Sequence, residues 1–487
     1  MNREVRWYDY ITINIYWFAL TSRAQVLTPL IVPVLVQRFV GESVKGTYVG
    51  RMRLWSLMVA LLMQALMGLL SDRSRSRWGR RRPFIALGTL GELVIFALIG
   101  AIAGLEGMTG YWALFALYSI SMVSSNTAHA ATQGLIPDLV PEEKRGRFSG
   151  VKALLELPVP LVFSSFVVAQ MVAAGNLWGA LIALMVVLLV CALITMAAPE
   201  EPVTGEAPPM DWQPLVRLAL MTGAFTVVIL GTGAVVNATS GWIASLPSDL
   251  ASPITVAVGV GGMAIAVLVG VWLSVSIGLG EEVEGHRSFT WWVTTRLAFM
   301  VASTNLAGFM LYYLQERFVG LSGEAAAGPA ARVMMFVGIS IIVTAMPGGW
   351  LSDRFSKRLL VAIAGLVAAG GTFLILLVPS MGALYVGGSL IGAAMGVFYA
   401  ANWALGTEIV PQSRAGHFLG ISNLAGAGSG AIGAYIGGPL ADAHGYVLLF
   451  TIYGIMFILA MVPLLGVKVP QTTDPLRAQP AVGTAGD

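Results

Sequence analysis

The chain has 487 residues, 57% of them hydrophobic and 11% charged, with a formal net charge of +3. A soluble domain of this length cannot hide so much apolar surface, so a polytopic helical membrane protein is implied, in which helices satisfy their own backbone groups in lipid. The single cysteine, Cys191, excludes an internal disulfide and a cysteine metal cluster, and no Gly-Lys-Ser/Thr phosphate loop argues for an ATP-driven pump.

Fourteen apolar helices are predicted, with most of the basic residues as topology signals between them rather than a nucleic-acid surface. Span 1 (10–36) carries Arg23 near its middle, on a face shared with Thr12 and Tyr16. Asn14, Thr21, Gln25 and Thr28 form a separate, nearly opposite stripe. One of these faces lines a cavity and the other packs. Span 2 (51–70) ends in "GLLSDRSRSRWGRRRPF" at 68–84, too basic to cross. Span 3 (84–104) places Glu92 roughly 13 Å inside, at 1.5 Å per residue. There it is either a proton carrier or the ion-pair partner of Arg23, because an uncompensated charge at that depth costs at least ~2.5 kcal/mol.

Span 4 (111–135) carries Asn126, His129 and Gln133 on one stripe, which lines a cavity or bonds a neighbouring helix. Span 5 (150–174) holds Glu156 one turn beyond Lys152, an i,i+4 pair that neutralises itself. Pro158 and Pro160 follow and should break the helix. Span 6 (177–198) closes a first unit at 1–198, followed by a cytoplasmic linker at 199–213. Two further helices (214–237 and 253–279) make an inserted unit at 214–280.

The last unit, 281–467, holds spans 9 to 14 at 289–313, 331–351, 359–379, 383–406, 416–440 and 446–467, before a loose tail at 468–487. Arg296 and Asn305 sit on opposite faces of span 9, and Asn402 lies in span 12. With the N-terminus in the cytoplasm, most of the 28 lysines and arginines fall on the cytoplasmic side, provided the two extra helices come as a pair. Both termini are then cytoplasmic. Three segments repeat: "LVQRFVG" at 35–41 with "LQERFVG" at 314–320, "GLLSDR" at 68–73 with "GWLSDR" at 349–354, and "PEEKRGRFSG" at 141–150 with "PQSRAGHFLG" at 411–420. Both "SDR" copies fall on the cytoplasmic side, so two six-helix halves share one orientation, an arrangement of rocking transporters.

At these residues the chain resembles the major facilitator superfamily. Gly68, Asp72 and Arg73, then Gly79, Arg80 and Arg81 after a four-residue insertion, fit its loop between spans 2 and 3, and the form of the loop is similar to that of sucrose-type glycoside–cation symporters. The second copy, with Gly349, Asp353 and Arg354, has Ser356 where the motif has glycine. The acidic residue that sucrose-type carriers keep in span 1 is missing here beyond Asp9. The resemblance implies an all-α major-facilitator fold with two added central helices. It implies a non-enzymatic secondary transporter with no cofactor or metal. That transporter would be a monomer in a bacterial inner membrane, moving a sugar-like or other small polar solute with protons by alternating access. Efflux of amphipathic compounds and a non-transporting role in pigment or complex assembly are the alternatives. A substrate and proton pathway is expected from Arg23, Gln25, Glu92, Asn126, His129, Gln133, Glu156, Arg296, Asn305 and Asn402. The loop is expected to form a cytoplasmic latch favouring the outward-open state. Its partner would be "PEEKRGRFSG" with Arg145, and its weaker twin the "GWLSDRFSKR" stretch, with Arg414 beyond it.

Overall fold

The computed structural model describes residues 6–200, 212–243, 245–411 and 415–468; most of the predicted linker, the tail from 469, Arg3 and Arg414 lie outside the described residues. Among the described residues, twelve helices are long and apolar enough to cross a membrane. They are span 1 (Asp9–Val40), span 2 (Glu42–Asp72), span 3 (Arg82–Ile102), span 5 (Glu142–Ala173), span 6 (Leu177–Thr195), span 7 (Gln213–Ser240) and span 8 (Asp249–Leu279). Span 9 (Glu282–Arg317), span 10 (Gly323–Arg354), span 11 (Lys357–Leu377), span 12 (Met381–Ile409) and span 14 (Tyr446–Gly466) complete them. Span 4 (Gly107–Leu139) and span 13 (Ala415–His444) are as long and pack into the same bundle, so all fourteen predicted helices are present.

Span 4 is the more polar of these two, and its polar side chains turn inward on their own helix. Asn126, Thr127 and Thr132 each donate to the carbonyl four residues back, at 2.8, 2.7 and 2.8 Å. That back-bonding satisfies a polar group without a partner on another helix.

Span 2 starts well before the predicted residue 51. Lys45, ahead of the predicted start, stands within its helix along with Arg51 and Arg53. Their partners are partly local, Glu42 at 2.6 Å for Lys45 and the Tyr48 ring for Arg51, and partly from the second half of the chain. Lys45 Nζ bonds Gln315 at 2.8 Å and lies over the Tyr312 ring, while Arg53 Nη1 donates to Asn305 Oδ1 at 3.4 Å. In span 5 the helix breaks at Leu157 and restarts at Pro158, as the prolines predict. Wide π-turns interrupt span 1 at Leu27–Ile31, which contains Pro29, and span 5 at Ser164–Val168. Such turns re-aim side chains and recur at functional sites.

The first and last six spans meet along two seams, span 2 against span 13 and span 5 against span 10. At the first seam the backbones nearly touch. A methyl group at Gly50 would overlap the Ala434 carbonyl, and one at Gly438 the Gly46 carbonyl. Gly50→Leu is therefore expected to force this seam apart and deplete the closed outer face, read as a longer spin-label distance between the outer ends of spans 2 and 13. Spans 7 and 8 pair with each other and lean on spans 13 and 14, with Phe225 against Gly428 and Tyr435 against Gly233. Span 7 also touches span 2.

Candidate substrate cavity and gates

Burial along the helices shows which ends are apart. Span 2 has its buried residues between Lys45 and Met58, whereas every residue from Val59 to Leu70 is partly exposed. Span 10 behaves alike, packed from Ala327 to Met335 and open over the next three turns. The halves of these seam helices nearer the charged 68–84 loop are splayed and their opposite halves are packed; with that loop in the cytoplasm, as the basic residues predict, the arrangement is inward-open.

A clamp holds the outer face. The Asp442 carboxylate accepts from Gly46 N at 2.8 Å, Thr47 N at 2.7 Å and Thr47 Oγ1 at 2.7 Å. It thereby caps the N-terminal end of span 2 from the other half, where free N–H groups favour an anion. Gln315 Nε2 donates to Gln37 Oε1 at 2.8 Å, Tyr312 donates to the Pro33 carbonyl at 2.7 Å, and Arg38 pairs with Glu324. A cavity of about 380 Å³ lies over this clamp, lined by Glu42, Lys45, Gln315, Glu316 and Asp442 among others.

The walls of the central space follow from spans 1 and 9. The apolar window of span 1 is 72% buried, and its accessible residues Ile15, Phe18, Thr21, Gln25 and Thr28 lie on one face. That face is the accessible one and the candidate cavity wall, and Arg23 points the other way. Arg23 is buried, with Nε donating to Glu92 at 3.0 Å and Nη2 to Ser121 Oγ at 2.5 Å. Ser121 in turn donates to Glu92 at 2.9 Å. Of the two readings of Glu92, the geometry is that of the ion pair, and it ties spans 1, 3 and 4 together.

The wall of the first half carries a different cluster. The edge of Trp17 meets the His129 ring at 5.3 Å, and Gln133 bonds His129 at 3.2 Å. The Lys152 ammonium lies 3.9 Å over Trp17 and pairs with Glu156 at 3.3 Å. Asn126 takes no part, since its amide is spent on Met122.

Span 9 is 83% buried, and Arg296, Met300, Thr304 and Ala307 form an accessible stripe on it. Arg296 Nη1 donates to Ser422 Oγ at 3.0 Å, and its guanidinium lies 5.6 Å from the Trp403 ring and 5.9 Å from that of Trp292. Asn305, on the opposite face, sits in the seam and donates to the carbonyls of Val301 and Ser429 at 2.8 and 3.0 Å. Asn402 is buried, and its carbonyl accepts from Trp292 Nε1 at 2.9 Å. The predicted pathway residues thus divide between a cavity wall (Gln25, His129, Gln133, Glu156, Arg296) and the packing behind it (Arg23, Glu92, Asn126, Asn305, Asn402).

The charged loop makes a compact network. Arg81 pairs with Asp72 at 2.5 Å and Asp138 at 2.7 Å, and donates to Ser71 Oγ at 2.9 Å. Burial alone would lower the Arg81 pKa; Asp138 and Asp72 outweigh it and raise it. Arg80 joins at Asp138, and Glu200 accepts from the Arg81 and Arg82 amides at 2.5 and 3.1 Å. Gly79 is needed for its positive φ of 102° and because any side chain there would strike Glu200. Gly68 faces Ala130, and Arg73 Nη1 donates to the Leu69 carbonyl at 3.4 Å.

The expected latch partner is corrected here. Arg81 binds Asp72, Asp138 and, through its backbone amide, Glu200 at the end of span 6, rather than residues 141–150. Arg145 turns back to Glu142 and to the carbonyls of Val140 and Pro137. In the twin, Arg354 lies 4.1 Å over Trp350 and Lys357 pairs with Glu408 at 2.6 Å. Asp353 is exposed, and a methyl at Gly349 would meet open space. Asp138 and Glu200 escaped sequence reading. Their only signal was an acidic residue just beyond a predicted span, on the same side as the arginines.

Residues 292–484 match the sequence model of the Major Facilitator Superfamily. No curated protein matches the chain. Among solved structures, it is similar to a D-xylose-proton symporter at 16% identity and TM-score 0.64, covering 95% of this chain and 98% of that one. It is similar to a mutant of the nucleoside transporter NupG at 11% identity and TM-score 0.65, covering 94% and 99%. A POT family transporter in complex with 5-aminolevulinic acid aligns at 13% identity and TM-score 0.62, covering 93% and 94%. Fold along the whole chain and sequence pattern along its second half agree: this is an all-helical, multi-pass membrane protein with the major-facilitator transporter fold.

Proposed function

We propose that the chain is a secondary active transporter working by alternating access, a proton-coupled symporter of a small polar solute, sugar-like or otherwise. It would act as a monomer in a bacterial inner membrane with both termini in the cytoplasm. The observation that carries this reading is the asymmetry between the two faces. The halves are clamped outside by Asp442 on the start of span 2, while the cytoplasmic ends of spans 2 and 10 stand open onto polar faces of spans 1 and 9. A bundle built only for packing has no use for a polar cleft open at one end. The similarity to a structure named as a proton symporter supports the coupling.

Glu156 is the carboxylate placed to take the proton. It lies on the cavity wall beside Lys152, Trp17 and His129 and is reachable from the cytoplasm, whereas Glu92 is enclosed by Arg23 and Ser121. In proteoliposomes loaded with a panel of labelled solutes, Glu156→Gln is expected to lose pH-gradient-driven uptake by tenfold or more while keeping solute exchange. Unaltered coupling would remove Glu156 from the proton path. Absence of flux for every solute tried, with no change in distance across either face, would remove the transporter reading itself.

A further inference from the structure

The charges of the central space do not cancel. On the first half, Lys152 is paired with Glu156, and behind the wall Arg23 is paired with Glu92. Arg296 has no carboxylate partner among the described residues. Its Nη1 is bound to Ser422, and its flanks are the rings of Trp403 and Trp292. Arg53, buried where span 2 crosses span 9, is a second cation whose hydrogen bond goes to an amide, Asn305, rather than to an acid. A cation held inside a membrane bundle costs several kcal/mol unless an anion offsets it. At Arg296 the site is accessible, so the offsetting charge can arrive from solution.

We propose that the solute is a carboxylate with an apolar, ring-bearing body, its carboxylate held by Arg296; this rests on the transporter reading above. Three features narrow the chemistry. With Nη1 engaged, Nε and Nη2 remain as two parallel donors, the fork that a planar carboxylate matches. One cation suits one negative charge, so a phosphate dianion would leave a charge uncompensated in the cleft. Beside Ser422 the surroundings are rings: Trp403 is 46% exposed and Tyr399 37%, both on span 12 next to Arg296. Rings beside a guanidinium take flat apolar groups as well as the cation itself.

The test uses the full chain in detergent and matched probes that differ only in charge: phenylacetate, indole-3-acetate and 1-naphthoate, each beside its carboxamide. At least one acid is expected to bind tenfold or more tightly than its amide. Arg296→Gln should abolish that preference, and Arg296→Lys, which keeps the charge but not the fork, should retain part of it. Acids and amides binding equally, none of the acids binding, or a preference that survives Arg296→Gln would each overturn the inference. Spin-label distances across the two faces, recorded on the same samples, report separately on alternating access. If the faces still exchange while the acid preference is absent, the solute class fails and the transporter reading stands.

Discussion

Asp442→Ala shifts the molecule from inward-open toward outward-open, by tenfold or more in the ratio of the two. The Asp442 carboxylate accepts three hydrogen bonds across the seam, two from backbone amides at the start of span 2 and one from the Thr47 hydroxyl. Hydrogen bonds to a charged group are worth about 1.5–3 kcal/mol each. Water recovers part of that when the face opens, but a net loss of about 1.4 kcal/mol is already tenfold. Of the remaining outer contacts, the buried Tyr312–Pro33 and Lys45–Gln315 bonds persist in the variant, and the other two are weaker anchors. Arg38 and Glu324 are solvent-exposed and so screened, and Gln37–Gln315 is a neutral pair. The readout is the distance between labels at the outer ends of spans 2 and 13. Distances identical to those of the parent protein would show that the seam, with Gly50 against Ala434, holds the face shut without the carboxylate.

The second large effect is on stability. Glu92→Ala is expected to destabilise the protein by about 3–5 kcal/mol, because it strands the Arg23 guanidinium in a buried site with Ser121 as its only partner. The double variant Arg23→Met/Glu92→Met should recover most of the loss, since removing both charges removes both desolvation costs. Denaturant midpoints of the purified variants decide it. If Glu92→Ala unfolds with the parent, Arg23 has found another partner and the pair is not structural. If the double variant is as unstable as the single one, the site depends on its hydrogen bonds rather than on charge balance.

Much of the architecture was readable because its signals are local. Apolar runs marked fourteen helices, and the "SDR" repeat marked matching ends of spans 2 and 10. The two faces of span 1 were also readable, since helical spacing sorts Arg23 from Gln25. Which face lines the cavity was not, because that depends on Glu92, 69 residues away, turning toward Arg23. The start of span 2 was misplaced for a related reason. Lys45 looks like a loop residue until Gln315 and the Tyr312 ring are seen beside it. The loop at 68–84 was identified by its own pattern, but its partners, Asp138 and Glu200, belong to no motif that would single them out. A latch to residues 141–150 was inferred from charge alone, and charge alone does not choose among several acidic helix ends on the same side of the same half.

The inserted pair, spans 7 and 8, makes the two sides of the protein unequal toward the surrounding lipid. It rests on spans 13 and 14 and reaches span 2, so it roofs the seam where span 2 meets span 13. The other seam, span 5 against span 10, has no such cover among the described residues. On the proposed alternating-access cycle, the span 5–span 10 flank is thus the one whose parting would meet lipid directly, so the added pair gives the fold a handedness toward the bilayer.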